Sequence, residues 1–266
     1  MRIPLFHLNA FTNRPFSGNP AAVCPLQEWL DDGLLRKVAA ENSLSDTAFF
    51  VSSSHNGHYD LRWFTPRCEV KLCGHATLAS AFVVMKVLQP GLPSVRFETR
   101  HSGPLTVCRD GDMFAMDFPA ILGKACANPP EALARGLGPG RLPATLLEAN
   151  ETYVVVYETE DAIQNIRPDF AILEQLHPFA VAVTAPGTKS DFVSRYFAPS
   201  YGVPEDPVTG SAHSALTPYW AERLRKRHLH ARQVSERGGE LWCEMTGERV
   251  ILKGNAVLTL QGSLQI

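Results

Sequence analysis

The chain has 266 residues, of which 45% are hydrophobic and 20% charged, and a formal net charge of -2. That is ordinary globular composition, enough for one large domain or two of about 130 residues. The balanced charge and the lack of a Lys/Arg block exclude a phosphate-binding footprint, so no nucleic-acid partner is expected. No run of about 20 apolar residues occurs, so no membrane span is expected. The six cysteines (Cys24, Cys68, Cys73, Cys108, Cys126 and Cys243) are scattered. Cys68 and Cys73 are the one close pair, but their spacing is not that of a zinc CxxC; no metal site and no disulfide framework are expected. The opening "MRIPLFHLNAF" lacks the long apolar core of a signal peptide, and the expected location is a reduced cytoplasm.

In chain order, residues 3–11 alternate as a strand does, and "NPAAVCPL" is a short apolar run closed by Pro25. "EWLDDGLLRKVAAEN" has helical spacing of Trp29, Leu30, Leu34, Leu35, Val38 and Ala39. "TAFFVSS" and "YDLRWF" read as strands, and "GHATLASAFVVMKVL", apolar on all sides, as a buried helix. "VRFETR" and "PLTVCRD" follow as strands, the second turning at Asp110-Gly111 into "MFAMDF". The Pro/Gly-rich region 119–144 reads partly as linker. Beyond it come a strand "TYVVVYET", a helix over "AIQNIRPDFAILEQL", strands "FAVAVTA" and "DFVSRYF", and a helix over "TGSAHSALTPYWAERL". Strands "RQVSER", "LWCEMT" and "ERVILKGNAVLTLQG" close the chain, the last broken at Gly254-Asn255.

The two halves repeat each other. Val23 falls on Val155 and Ala48 on Ala180; Arg62-Trp63-Phe64-Thr65-Pro66 falls on Arg195-Tyr196-Phe197-Ala198-Pro199, and Gly74-His75-Ala76 on Gly210-Ser211-Ala212. The expected fold is α/β (α+β): two pseudo-symmetric lobes, 1–118 and 119–266, each a sheet wrapped around one apolar helix, with the last strand free to return to the first lobe. Each central helix opens on a glycine. Its first turn carries unpaired N–H groups and partial positive charge. Two such starts facing a cleft between the lobes are expected to hold a carboxylate.

The repeat also shows where symmetry fails. Aligning "SDTAFF" with "HPFAVA" sets Asp46 against Pro178; His75 falls on Ser211 and Cys73 on Thr209; Asp206 is a second one-sided acid. Unshared Asp46, His75 and Asp206 are what chemistry at a single centre leaves behind. Each has a bland alternative: a turn-forming Asp46, a satisfied buried His75, an Asp206 that caps a helix. Cys73 reads as a small packing residue before a nucleophile. His228 and His230 form an HxH within the basic stretch "RLRKRHLH", read as solvated surface, and Glu41 and Glu69 as surface or ion-pair residues.

"AFTNRPFSGNPAAV", "SLSDTAFF", "CGHATLAS", "DFVSRYFAP" and "GVPEDPVTGSAH" together resemble the PhzF family of phenazine-biosynthesis-like proteins, and more distantly diaminopimelate epimerase. The resemblance runs nearly end to end. It implies the two-lobed epimerase-like fold, a homodimer, and isomerase chemistry on a small carboxylate-bearing metabolite without cofactor or metal. It assigns the catalytic roles to Asp46, His75 and Asp206. Substrate-binding roles fall to Asn19, Gly74, Thr209, Gly210 and Ser211.

One departure matters. The family usually has Glu where this chain has Asp46, a carboxylate shorter by about one C–C bond, about 1.5 Å. The epimerase relatives use two thiols; here Cys73 has no cysteine opposite it, which disfavours two-thiol racemisation. The expected mechanism is transfer of a proton by Asp46, with the carboxyl in apolar surroundings that favour its neutral form. The rival readings are a ligand- or partner-binding protein with weak or no catalysis, and a one-base racemase.

Overall fold

The computed structural model describes residues 1–138, 142–143 and 145–266. The chain divides into two units, Met1–Asp117 with Lys253–Ile266, and Phe118–Leu252. Both are mixed α+β and dominated by sheet. Of the linker expected over 119–144, positions 139–141 and 144 lie outside the described residues.

The first unit runs β1 (Arg2–Ala10), β2 (Asn19–Leu26), α1 (Asp32–Asn42), β3 (Asp46–Ser52), β4 (His58–Phe64), β5 (Glu69–Val70), α2 (Gly74–Phe82), β6 (Ser94–Thr99), β7 (Leu105–Asp110) and β8 (Met113–Pro119). β2 pairs antiparallel with β1 and parallel with β3; β3 pairs antiparallel with β4. β4 carries the short β5 antiparallel and β6 parallel, and β6–β7–β8 continue as antiparallel neighbours. Asp31 caps α1 by accepting from the Gly33 and Leu34 amides, so the helix starts at Asp32 and leaves Trp29 and Leu30 before it. α2 is buried from Gly74 to Ala81 and packs on β1, β2 and β3. It continues in wider π winding over Val83–Leu88, ending with the Gln89 N–H donating to the Val84 carbonyl at 2.7 Å.

The second unit runs β9 (Lys124–Ala125), α3 (Glu131–Gly136), β10 (Thr145–Glu148), β11 (Thr152–Val156), α4 (Glu160–Gln164), α5 (Phe170–Leu173), β12 (Ala180–Pro186), β13 (Phe192–Ala198), β14 (Val203–Asp206), α6 (Gly210–Leu224), β15 (His228–Gln233), β16 (Gly239–Thr246) and β17 (Arg249–Gly254). The single helix expected around Pro168 is two. Pro168 lacks an N–H and restricts Arg167, so winding stops after Gln164 and restarts at Phe170, capped by Asp169. In α6, Pro218 cannot donate to the Ser214 carbonyl, and the Ile121 N–H takes that acceptor at 2.9 Å. Trp220, on α6, stacks on Phe192 with ring centroids 5.6 Å apart and donates from Nε1 to Thr184 Oγ1 at 2.9 Å. Of the HxH pair read as solvated surface, both on β15, His228 is exposed, while His230 is half-buried and stacked on Trp242. β18 (Ala256–Gln265) belongs to the first unit and pairs antiparallel with β1 along its length.

The second unit repeats the pairing pattern of the first. β11 is parallel to β12, β12 antiparallel to β13, and β13 carries β14 antiparallel and β15 parallel. A buried arginine marks each copy. Arg62 Nε and Nη2 donate to the two Glu69 carboxylate oxygens, each at 2.7 Å, and its guanidinium lies 4.9 Å from the Phe64 ring. Arg195 Nε and Nη2 donate to both oxygens of Glu205, each at 2.8 Å, with its guanidinium 4.9 Å from the Phe197 ring. A planar fork meeting a carboxylate over an aromatic face is the arrangement for which Arg is suited and Lys is not.

These pairs fix the true register of the repeat. Arg62 pairs with Phe49 and Arg195 with Val183, which puts Asp46 opposite Ala180, not Pro178. The same ladders put Val23 opposite Val154, not Val155, and Ala48 opposite Ala182. Trp63 pairs with Val70 and Tyr196 with Asp206, so Asp206 falls opposite Val70, and counting on four residues restores Gly74 opposite Gly210. Asp46, His75 and Asp206 are one-sided in this register as well.

Candidate active site

Local turns place the first group. α1 ends at Ser43 in the left-handed conformation, its N–H donating to the Ala40 carbonyl at 3.1 Å, and the chain reverses so that Asp46 becomes the first residue of β3. Asn19 opens β2 just after Gly18. That glycine has φ +69°, and a Cβ there would collide with the Ala10 carbonyl, so only glycine delivers Asn19 to this point. His75 is the second residue of α2.

These three stretches converge. Asp46, Cys73 and His75 are buried, and one donor atom from each lies within 4.8 Å of the others. Asn19 Nδ2 donates to His75 Nδ1 at 3.1 Å, from 56 residues away in sequence. Nδ1 is therefore the acceptor and the ring proton sits on Nε2; the Pro20 carbonyl lies against the ring. Ser45 Oγ lies 3.4 Å from Nε2 and 3.3 Å from the Pro20 carbonyl. Burial pushes the His75 imidazolium pKa down to about 3, against a smaller opposing effect of that carbonyl. The ring is neutral at ordinary pH and offers Nε2–H as a donor. Cys73 Sγ stands 3.4 Å from Nδ1.

The second unit builds a different group at the matching helix start. Thr209 Oγ1 donates to Asp206 Oδ2 at 2.5 Å. Gln233, on β15, accepts from the Thr209 N–H at 2.9 Å and donates to the Asp206 carbonyl at 2.6 Å. Tyr196 lies beside Asp206 on the neighbouring strand; burial, with the Asp206 charge as a smaller cause, pushes its phenol up to about 12. One turn into α6, buried His213 donates from Nδ1 to the Thr209 carbonyl at 2.8 Å. Burial pushes its pKa down to about 4. Gly210 is buried and Ser211 exposed. Neither Cys73 nor Thr209 caps its helix with a side chain, which leaves the first-turn N–H groups of α2 and α6 without that partner.

Sequence reasoning selected Asn19, Asp46, Gly74 and His75 in the first unit and Asp206, Thr209, Gly210 and Ser211 in the second, and each set lies together within its unit. It missed Ser45, Gln233 and Tyr196. Ser45 is adjacent to Asp46 in the quoted motif, so a signal was present; Gln233 and Tyr196 carry none, because strand pairing alone brings them to the helix start.

The sequence profile of the phenazine biosynthesis-like proteins, PhzC-PhzF, matches residues 8–262. The chain belongs to the PhzF family. It is 50% identical over 266 residues to an uncharacterized isomerase of Pseudomonas aeruginosa, with all of both chains covered. A crystal structure of a PhzF-family protein from Enterococcus faecalis superposes with a TM-score of 0.93 at 40% identity, again over all of both chains. A predicted epimerase of Pseudomonas aeruginosa superposes with a TM-score of 0.76 at 19% identity, covering 99% of each chain, and shows that the PhzF fold is epimerase-like. No helix among the described residues is long and apolar enough to cross a membrane.

Proposed function

We propose that this chain is an isomerase that needs no cofactor and moves a proton within a small carboxylate-bearing metabolite, with Asp46 as the acid/base group. The observation that carries the reading is the buried Asp46 carboxylate beside a neutral imidazole whose proton Asn19 directs to Nε2. The name of the Pseudomonas relative, an isomerase, supports the reaction class.

In this reading Asp46 removes a proton from a carbon made acidic by conjugation. The C–H pair moves into the conjugated system, and the new O–H of Asp46 returns the proton to a second carbon of the same molecule. The His75 Nε2–H donates to the substrate oxygen on which charge develops. The amide at Gly74 binds the carboxylate as helix starts do, and the family resemblance assigns substrate roles to Asp206, Gly210 and Ser211 as well. Asn19 and Thr209 contribute polar contacts.

The test is a panel of small conjugated carboxylic acids incubated with the protein in deuterated water, with label uptake read by mass spectrometry. Turnover with deuterium at a new carbon is the expected result, lost by about a hundredfold or more in Asp46→Asn and Asp46→Ala. A variant that keeps most of the rate refutes the mechanism. Uptake confined to a stereocentre, with no new double-bond position, indicates a one-base racemase instead.

The shorter acid favours a second reading, a ligand-binding protein with weak catalysis. Ligand binding with no label uptake in either the native chain or Asp46→Glu supports it.

A further inference from the structure

Among the described residues one group of side chains offers a metal-ligand set: Asp46, Cys73 and His75, with a carboxylate oxygen, a thiol sulfur and a ring nitrogen mutually within 4.8 Å. We propose that this cluster captures one thiophilic divalent cation of the Zn2+ type, and that capture blocks the acid/base group. The blocking effect rests on the isomerase reading; the capture does not.

The donor set is the argument. Zinc takes S at about 2.3 Å and N or O at about 2.0–2.2 Å in tetrahedral array, which puts neighbouring donors roughly 3.3–3.6 Å apart. Cys73 Sγ to His75 Nδ1 is already 3.4 Å, and one ring nitrogen, the sulfur and an Asp46 carboxylate oxygen lie within 4.8 Å of one another, close enough for small side-chain shifts to close the set. The Pro20 carbonyl and Ser45 hold the ring from outside, as second partners of metal-bound histidines do, and Nδ1 is turned toward the sulfur. The Asn19 amide, now on Nδ1 at 3.1 Å, gives up that acceptor to the metal. A carboxylate and a thiolate neutralise a dication, which suits a buried position. Three protein donors leave a fourth position for water. Mg2+ and Ca2+ want six or more oxygens and do not fit. In the binding step the S–H bond breaks, its proton goes to solvent, and the sulfur–metal bond forms with no change of oxidation state.

The experiment is anaerobic titration of the chelator-treated full chain with Co2+, followed by absorbance. One equivalent is expected to produce a thiolate-to-cobalt charge-transfer band and the visible bands of a four-coordinate ion, both bleached by Zn2+. Cys73→Ala should lose the charge-transfer band, whereas Cys68→Ala and Cys108→Ala, at exposed positions, should keep it. His75→Gln, a second variant with circular dichroism as fold control, should weaken cobalt binding by at least about tenfold, the loss seen on removing even an outer partner of a ligand. No band in the native chain, or a band that survives Cys73→Ala, overturns the proposal. Because the readout needs no substrate, cobalt bound at Cys73 in a protein whose turnover survives Asp46→Asn refutes the isomerase mechanism and leaves the metal site standing.

Discussion

His75 Nε2 stands 3.7 Å from Asp46 Oδ2, and the two are not an ion pair. The separation exceeds a hydrogen bond. Burial also holds the imidazolium pKa at about 3, so the ring carries no charge to attract the carboxylate. What remains is a neutral N–H donor next to a carboxylate, the pair needed where a carbon loses a proton and a nearby oxygen gains charge.

The neutral imidazole has a kinetic signature. The pH profile of kcat/KM should show no ionisation from His75 between pH 5 and 8, because its folded pKa lies near 3. A limb near pH 6.5 that disappears in His75→Gln contradicts the neutral assignment.

The same burial makes stability depend on pH. His75 and His213 are held at about 3 and about 4, and His7 is also lowered by burial, all from 6.5. Above pH 6.5 folded and unfolded chains both keep these rings neutral. As pH falls below 6.5 the unfolded chain takes up protons that the folded chain refuses, so stability declines toward the folded pKa values, by up to about 1.4 kcal/mol per pH unit for each fully buried ring. Asp32, Glu69, Glu160 and Asp191, also lowered, act below their ordinary values of 3.8 to 4.5, so the window from pH 6.5 to 5 reports the histidines. Urea unfolding across that window should show the decline, with a shallower slope in His213→Gln.

Asp46→Glu lengthens the acid by about 1.5 Å. If Asp46 is placed for its own substrate, the longer side chain should lower kcat by about a hundredfold, the effect of a misplacement of about 1 Å. A gain in turnover instead marks this chain as an enzyme weakened by the shorter acid. Steady-state kinetics on a substrate found by the label screen distinguishes the two.

Asn19→Ala removes the amide donor to His75 Nδ1 and leaves that buried nitrogen only the weaker Cys73 thiol at 3.4 Å. The expected cost is about 1–3 kcal/mol of stability, with a fall in kcat as the ring loses its fixed tautomer. Asn19→Asp is the informative companion: an acceptor facing Nδ1 should favour its protonated tautomer and cost more activity than stability.

Gln233→Leu keeps volume in the second unit but removes the acceptor for the Thr209 N–H and the donor to the Asp206 carbonyl. Thermal unfolding should drop by an amount corresponding to about 1–3 kcal/mol. Amide exchange should rise first at Thr209 and the start of α6.

The repeat was readable because buried arginine, aromatic and glycine-led helix residues recur in order, and the structure carries that through to paired guanidinium–carboxylate forks at Arg62 and Arg195. Register was not. Matching short apolar strings slipped Asp46 by two positions, from Ala180 to Pro178, since apolar strands look alike and only the ladder to Arg62 and Arg195 discriminates between the alignments. Pro168 did carry a local signal that splits one expected helix into two capped turns, but the apolar spacing running across it concealed the break.

By itself the sequence determined the family, the duplicated α+β units, and the unshared Asp46, His75 and Asp206, because these are matters of residue type and order along one chain. Only the tertiary structure decided that Asn19 reaches His75, that Gln233 holds Thr209 and Asp206 in place, and that the imidazole is neutral. Those properties depend on burial and on contacts between residues 24 to 56 positions apart, which local periodicity does not encode.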